Sequence, residues 1–299
     1  MKRWDDGLRP YTPADREQAH LVLRRLLLAG DVPFTVHPGD WDWWAGHEDP
    51  RSSATLRLVG EAAVVQLGSD GELTSMGLPR TRWAIMPDAV RSVGWVSSRD
   101  DEAREVLGRA GLRPSGRAMA LFERDVPDAT EAACRVPALV PSGYVVRPLA
   151  GADEADSRAD AARLAFGSTL EPQQHRSRYR GFMTSPGYQR ARDLVAVVCD
   201  GPGQGAGEGE GEGDGDVAAF AVVWPDVETS LGLIEPVGTH PAHRRRGLAR
   251  AVIGASLLDL ATLGISRVRV CSWAHTPAPL SLYLACGFAQ VDTLTWWGR

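Results

Sequence analysis

Between Thr239 and Arg250 the chain reads Thr-His-Pro-Ala-His-Arg-Arg-Arg-Gly-Leu-Ala-Arg, which places Arg244, Arg245, Arg246 and Arg250 around a single glycine, Gly247. A strand-like run precedes this segment and a helical pattern follows it, so the arginines sit on a turn that opens a helix. Such a turn aims free backbone N–H groups and the positive end of the helix dipole at one point. Gly247 allows a close main-chain approach that a side chain would obstruct, and the arginines add charge around the same spot. The chemistry that fits is capture of a phosphate or pyrophosphate. A solvated basic helix start is the plainer alternative.

The residues resemble a known family at this point. Arg244-x-x-Gly247-x-Ala249 after a strand and a His-Pro turn is similar to the acyl-CoA-binding motif of the GNAT superfamily of N-acetyltransferases, and Leu282-Tyr283-Leu284-Ala285-Cys286-Gly287-Phe288 resembles the family's second motif. The resemblance covers about residues 143–299 and, more faintly, the first half, which is the layout of tandem GNAT proteins. It implies acetyl-CoA as co-substrate. Val237, Gly238 and Thr239 would meet the pantetheine arm, Arg245, Arg246, Gly247, Leu248, Ala249 and Arg250 the pyrophosphate, and Arg244 fills the family's Arg/Gln position. Tyr283 aligns with the tyrosine that can protonate the departing thiolate. Two neighbours depart from the family pattern: Thr276 replaces an Asn and Pro279 an Ala or Ser.

Direct acyl transfer also needs a base. Glu235 is the first choice; it lies two residues before Val237, and the period of two along a strand predicts both side chains on one face. The family more often keeps its carboxylate four residues before that position, where this chain has Leu233. A structural or substrate-binding role for Glu235, His240 as base, a water chain, or an amine that arrives neutral are the alternatives. The function implied is acetyl transfer to a small-molecule or peptide amine. The alternatives are an acyl-CoA-binding regulatory module with little catalysis, or acetylation of a small thiol precursor or amino sugar, since mycothiol synthases also resemble tandem GNAT proteins.

The elements that must position these residues follow from the pattern. Leu248, Val252, Ile253, Leu257, Leu258, Leu260 and Leu263 recur at helical steps and predict a helix over Gly247–Leu263 closed by Gly264. Strands are expected at Gly143–Pro148, Leu194–Cys199, Val217–Trp224, Gly232–Thr239, Arg267–Ser272 and Ala289–Trp297. Shorter helices are expected at Ser157–Phe166 and Pro279–Cys286, with a mobile or helical stretch through Gln173–Tyr188. This is an α/β arrangement with a mixed sheet.

The chain also repeats itself. Leu8-Arg9-Pro10 through Ala14-Asp15 matches Val146-Arg147-Pro148 through Ala152-Asp153, and Val106–Leu112 matches Leu282–Phe288. From a strand ending at Pro87 to Gly111 the first copy is shorter than the second, Pro241 to Gly287, by a whole helix. Leu107 stands where Tyr283 does. The first half is therefore expected to be a degenerate copy, residues 1–125, joined by a Pro-rich linker, 126–141, to a complete domain, 142–299. Its Trp41-Asp42-Trp43-Trp44 cluster, followed by His47-Glu48-Asp49, suits an acceptor-pocket floor or, more commonly, packing.

Composition bounds the rest. The 299 residues carry 33 Lys+Arg against 38 Asp+Glu, a formal charge of −5, which argues against broad nucleic-acid binding. Glu208, Glu210, Glu212, Asp214 and Asp216 account for all of it, within a Gly/acidic stretch at 201–216 expected to be a disordered loop. No apolar run reaches the ~20 residues of a membrane span, and the N-terminus lacks a secretion signal. Cys134, Cys199, Cys271 and Cys286 show no metal spacing. A cytoplasmic protein with neither metal, membrane nor nucleic-acid partner is the expectation.

Overall fold

A computed structural model of the chain describes residues 7–30, 34–47, 55–61, 63–68, 72–77, 90–132, 139–199 and 216–299. The acidic stretch up to Gly215, the strand end at Pro87 and much of the linker lie outside them. Among the described residues the first half contributes β1 (Arg9–Pro10), α1 (Arg16–Ala29), α2 (Pro38–His47), β2 (Thr55–Val59), β3 (Val64–Gly68), β4 (Glu72–Gly77), β5 (Ser92–Ser97), α3 (Asp101–Arg109) and β6 (Arg113–Asp125). The second contributes β7 (Tyr144–Pro148), α4 (Ala155–Ala165), α5 (Pro172–Met183), β8 (Asp193–Val198), β9 (Val217–Asp226), β10 (Leu231–Thr239), α6 (Leu248–Thr262), β11 (Arg267–Trp273), α7 (Pro277–Ala285) and β12 (Ala289–Gly298). Every element expected in the second half is present, most within two residues of the expected bounds, and the uncommitted stretch after Gln173 is largely α5.

All strands join one mixed sheet in the order β1-β2-β3-β4-β5-β12-β6-β11-β10-β9-β8-β7. The two halves exchange strands. β12, from the end of the chain, lies between β5 and β6, while β6, from the first half, lies between β12 and β11. Each half has one parallel pair, β4 with β5 and β10 with β11, and antiparallel neighbours elsewhere. Residues 240–266 join β10 to β11 and contain α6, whereas residues 78–91 join β4 to β5.

The repeated motifs do similar local work in both halves, with Glu154, one residue past the matching Asp153, taking the place that Asp15 has in the first. Arg9 pairs with Asp15, the residue capping α1, at 2.5 Å, and Arg147 pairs with Glu154, the residue capping α4, through two bonds of 2.7 and 2.9 Å. An anion at a helix start suits the helix dipole, and here each carboxylate also accepts a main-chain N–H of the preceding turn, Thr12 N for Asp15 and Ala150 N for Glu154. At the other end, α3 and α7 both close on a left-handed glycine, Gly111 (φ +80°) and Gly287 (φ +79°).

Two apolar layers flank the second half of the sheet. Ile234, Leu248, Val252, Ile253, Leu260, Val268, Val270 and Tyr283 pack on one face under α6 and α7. Leu149, Phe182, Phe220, Val222, Trp224 and Leu233 pack under α4 and α5 on the other. The tryptophans of α2 are packing residues. Trp41 is fully buried with its ring 5.0 Å from Tyr11, Trp43 lies edge-on to Phe182 of the second half at 4.9 Å, and Trp44 lies 4.5 Å from Trp95. α2 therefore docks on both halves at once. Among the described residues no helix is long and apolar enough to cross a membrane.

Candidate active site

β10 starts as an ordinary strand and then leaves one neighbour. It pairs with β11 only over Leu231–Leu233, opposite Arg267–Arg269, but stays paired with β9 through Thr239. β11 meanwhile keeps its pairing with β6 through Trp273. Past Leu233 the two central strands thus fork, leaving main-chain groups of Val237–Thr239 facing the gap with no strand partner on that side. Gly238 lies on the ring of Phe220, so closely that a Cβ would fall 2.2 Å from Phe220 Cζ. Phe220 is held from beneath by the buried Arg158, whose guanidinium carbon lies 3.7 Å from the ring centroid and whose Nε donates to Asp193 Oδ1 at 2.9 Å.

The fork is accompanied by a bulge. Ile234 opposes Val223 and Val237 opposes Ala221, so one extra residue sits on β10. This corrects the expectation that Glu235 and Val237 share a face. Val237 packs with Ile234 in the layer under α6, while the Glu235 side chain meets Asp40 of α2. The physical reason is the inserted residue, which breaks the period of two; Pro236, which has no N–H to give a ladder, was the available signal.

The Arg/Gly turn follows directly. Arg245 (φ +64°) and Gly247 (φ +84°) are both left-handed, and Gly247 caps α6. The first helical bond runs from Ala251 N to Gly247 O, so the N–H groups of Leu248, Ala249 and Arg250 precede the helical ladder and point out of its start. Arg244 braces the turn, donating to Thr239 O at 3.4 Å and Ala165 O at 3.0 Å. Arg246 donates to the Tyr144 hydroxyl at 2.9 Å, which also contacts His243 Nδ1. The turn residues from Arg244 to Gly247 are exposed. His240 accepts a bond from Ala242 N within the turn.

At the crotch of the fork, Glu235, Cys271 and Tyr283 interact electrostatically, and Asp40 joins them from the first half. Burial, then the negative charge of Asp40, push the Glu235 carboxyl well above the ordinary range. Burial likewise raises Tyr283 and Cys271, so phenol and thiol both keep their protons near neutrality. Tyr283 is 5% exposed; its ring lies 5.6 Å from Phe122, a residue of the exchanged strand β6, and 5.8 Å from Phe288. Thr276 caps α7 without a side-chain bond, with Pro277 as the first helical residue. α7 forms with both departures from the family pattern in place.

Asp40 is the residue that the motifs did not reveal. The acid within the tryptophan cluster is Asp42, which pairs with Arg16 and His20, and no local pattern marks Asp40 just before it.

Residues 206–288 match the family described as "Acetyltransferase (GNAT) family". No curated protein matches the chain by sequence. Among solved structures, the chain is similar to a tandem GNAT protein from the clavulanic acid biosynthesis pathway, at 16% identity and a TM-score of 0.64 over 98% of this chain and 97% of that one. It is also similar to a GCN5-related N-acetyltransferase from Sphaerobacter thermophilus, at 18% identity and a TM-score of 0.56 over 98% and 94%. A GNAT-family acetyltransferase from Colwellia psychrerythraea gives 11% identity and a TM-score of 0.59 over 97% and 98%. Residues 206–288 thus match the GNAT acetyltransferase family, and the fold of the whole chain is similar to that of a tandem GNAT protein.

Proposed function

We propose that the second half transfers an acetyl group from acetyl-CoA to an amine by direct attack, without a covalent enzyme intermediate. The observation that carries this reading is the fork of β10 from β11, with unpaired main chain at Val237–Thr239, a donor-rich turn at its mouth, and Glu235 and Tyr283 at its crotch. The fork suits a pantetheine arm, because an amide-bearing chain can pair with strand edges. The turn suits a pyrophosphate held by the N–H groups of Arg245, Arg246, Gly247, Leu248, Ala249 and Arg250. Gly238 lets this strand edge lie flat on the Phe220 ring, where a side chain would push it away.

Glu235 is assigned to accept a proton from the incoming amine, and its raised pKa makes it a stronger base than an ordinary carboxylate when ionised. Tyr283 stays protonated and donates a hydrogen bond to the sulfur as the C–S bond breaks. A tyrosine with a raised pKa is a poor net acid, so the proton it gives must be replaced by the one the nitrogen loses. The main contribution of the site is orientation of amine and thioester.

Labelled acetyl-CoA incubated with the protein and a panel of metabolite and peptide amines tests this reading. The expected result is a labelled N-acetyl product with release of one CoA thiol per acetyl group. Binding of acetyl-CoA with no thiol release above the protein-free control would favour the regulatory module instead. The acceptor class, whether a small metabolite, amino sugar or peptide N-terminus, is read from the same products.

A further inference from the structure

The base assigned above has a partner from the other half of the chain. Asp40 lies in the first turn of α2, and its carboxyl is set close enough to that of Glu235 for the two to interact directly. Two facing carboxyl groups repel when both are ionised, and they bond to each other when one keeps its proton, since a carboxylate has no donor. The contact is held from several directions. Asp40 Oδ2 accepts from His37 N at 2.8 Å. His37 Nδ1 accepts from Gly39 N at 2.9 Å, which fixes the other ring nitrogen as the donor to Leu231 O at 3.0 Å, on β10 itself. Burial holds His37 down at about 4, so it stays neutral and keeps this role across the physiological range.

Gly39 lies against Trp224 with no room for a side chain: a Cβ there would sit 2.4 Å from Trp224 Cβ. The Trp224 indole in turn donates to the main-chain oxygen of Glu235 at 2.6 Å. The same helix, the same tryptophan and the same strand thus fix both carboxyls. The nearby cation is committed elsewhere. Arg269 donates twice to Glu123 Oε1, at 3.0 and 2.7 Å, and to Thr35 O at 2.9 Å. The other titratable neighbours are Cys271 on β11 and Tyr283 on α7, and neither offers a positive charge.

We propose that Asp40 and Glu235 form one carboxyl pair holding a single proton, so that the base of the second half is completed by a positioning residue from the first. This rests on the acetyltransferase reading above. With one proton and one negative charge, the pair attracts an ammonium group and takes one proton from it, going from one proton to two. The neutral amine forms the C–N bond, the C–S bond breaks, and the nitrogen's surplus proton reaches the sulfur through Tyr283. The pair then returns its extra proton to water. Burial of both groups, and the repulsion between their charges, raise the second titration of the pair.

The test is carboxyl infrared spectroscopy of the full chain, titrated between pH 4 and 10, for wild type, Asp40→Asn and Glu235→Gln. Asn keeps the shape and an acceptor for His37 N, and thermal unfolding checks each variant. In wild type, the pair gives a protonated-carboxyl band that persists at neutral pH. In Asp40→Asn the remaining Glu235 midpoint should fall by about one unit or more below the pair's upper midpoint, and in Glu235→Gln that upper midpoint should be lost, leaving one Asp40 titration below it. Midpoints unchanged by removal of the partner would overturn the pair. Thiol release with the acceptor found above separates the two readings. A wild-type rate in Glu235→Gln with shifted midpoints would sink the base role while the pair stands. Loss of rate in Glu235→Gln with an unmoved acid limb in Asp40→Asn would sink the pair while the base stands.

Discussion

The ends of α3 and α7 close in the same way, through three matching bonds. In α3, Ala110 N bonds Val106 O at 3.0 Å, Gly111 N bonds Gly108 O at 3.1 Å and Leu112 N bonds Leu107 O at 3.0 Å. In α7, Cys286 N bonds Leu282 O at 2.9 Å, Gly287 N bonds Leu284 O at 3.0 Å and Phe288 N bonds Tyr283 O at 3.0 Å. The backbone is one motif used twice. The side chain at one position sets them apart in chemistry: Leu107 is fully buried among apolar neighbours, whereas Tyr283 interacts with Glu235 at the fork. The parallel strand pairs differ in the same sense. Beyond Leu233, β10 opens onto Gly238 and an exposed basic turn. Beyond Gly94, β5 continues into Trp95, whose ring packs on Phe34, Trp44 and Trp296. The lesson is that a scaffold survives duplication through its hydrogen bonds, while chemistry depends on the few positions those bonds present.

Changing the paired helix ends gives the largest contrast. Leu107→Ala should cost about 2–5 kcal/mol of stability, the usual range for a buried leucine, with acetyl-CoA affinity unchanged in the folded protein. Tyr283→Phe should leave unfolding within about 1 kcal/mol of wild type and lower turnover roughly 10²-fold or more. Denaturant unfolding and thiol release measure the two. A turnover equal to wild type across pH in Tyr283→Phe would remove the hydroxyl from the chemistry and make the two helix ends equivalent.

The two tight glycines sharpen the contrast at smaller amplitude. A Cβ at Gly94 would sit 2.8 Å from Trp296 Nε1, and one at Gly238 would sit 2.2 Å from Phe220. Gly94→Ala and Gly238→Val should each cost about 1–3 kcal/mol by overpacking, but only the second should abolish acetyl-CoA binding.

Much of this contrast was legible in the sequence because it is local. The Arg/Gly turn, the glycine stops and the Arg-Pro repeats each specify their own backbone over a few residues. The strand exchange was not legible, because pairing β12 with β5 and β6 with β11 joins positions remote in sequence and leaves no short-range pattern. The bulge was half legible through Pro236, yet the period of two was the wrong guide once a residue was inserted. Asp40 was invisible for the same reason as the exchange: only the docking of α2 across both halves brings it to Glu235.

The smallest effect concerns the repeated caps. Hydrogen bonds from Arg9 and from Thr12 hold the Asp15 carboxyl below the usual range. A carboxyl lowered in the folded state contributes stability that is present above its unfolded value and lost as pH falls through that region. Arg9→Ala should therefore flatten the acid side of the melting profile slightly. Arg147→Ala should have the larger effect at neutral pH, because Glu154 is buried and Arg9 is mostly exposed. Melting temperature against pH from 3 to 7 compares them, and a larger loss for Arg9→Ala would break the ranking.

On the proposed function, one half of this duplicated fold holds acetyl-CoA and the other does not. Isothermal titration of the full chain with acetyl-CoA measures it most directly. The account predicts one site per chain, lost in Gly238→Val and retained in Gly94→Ala. Two sites per chain, or a single site that survives Gly238→Val, would contradict it.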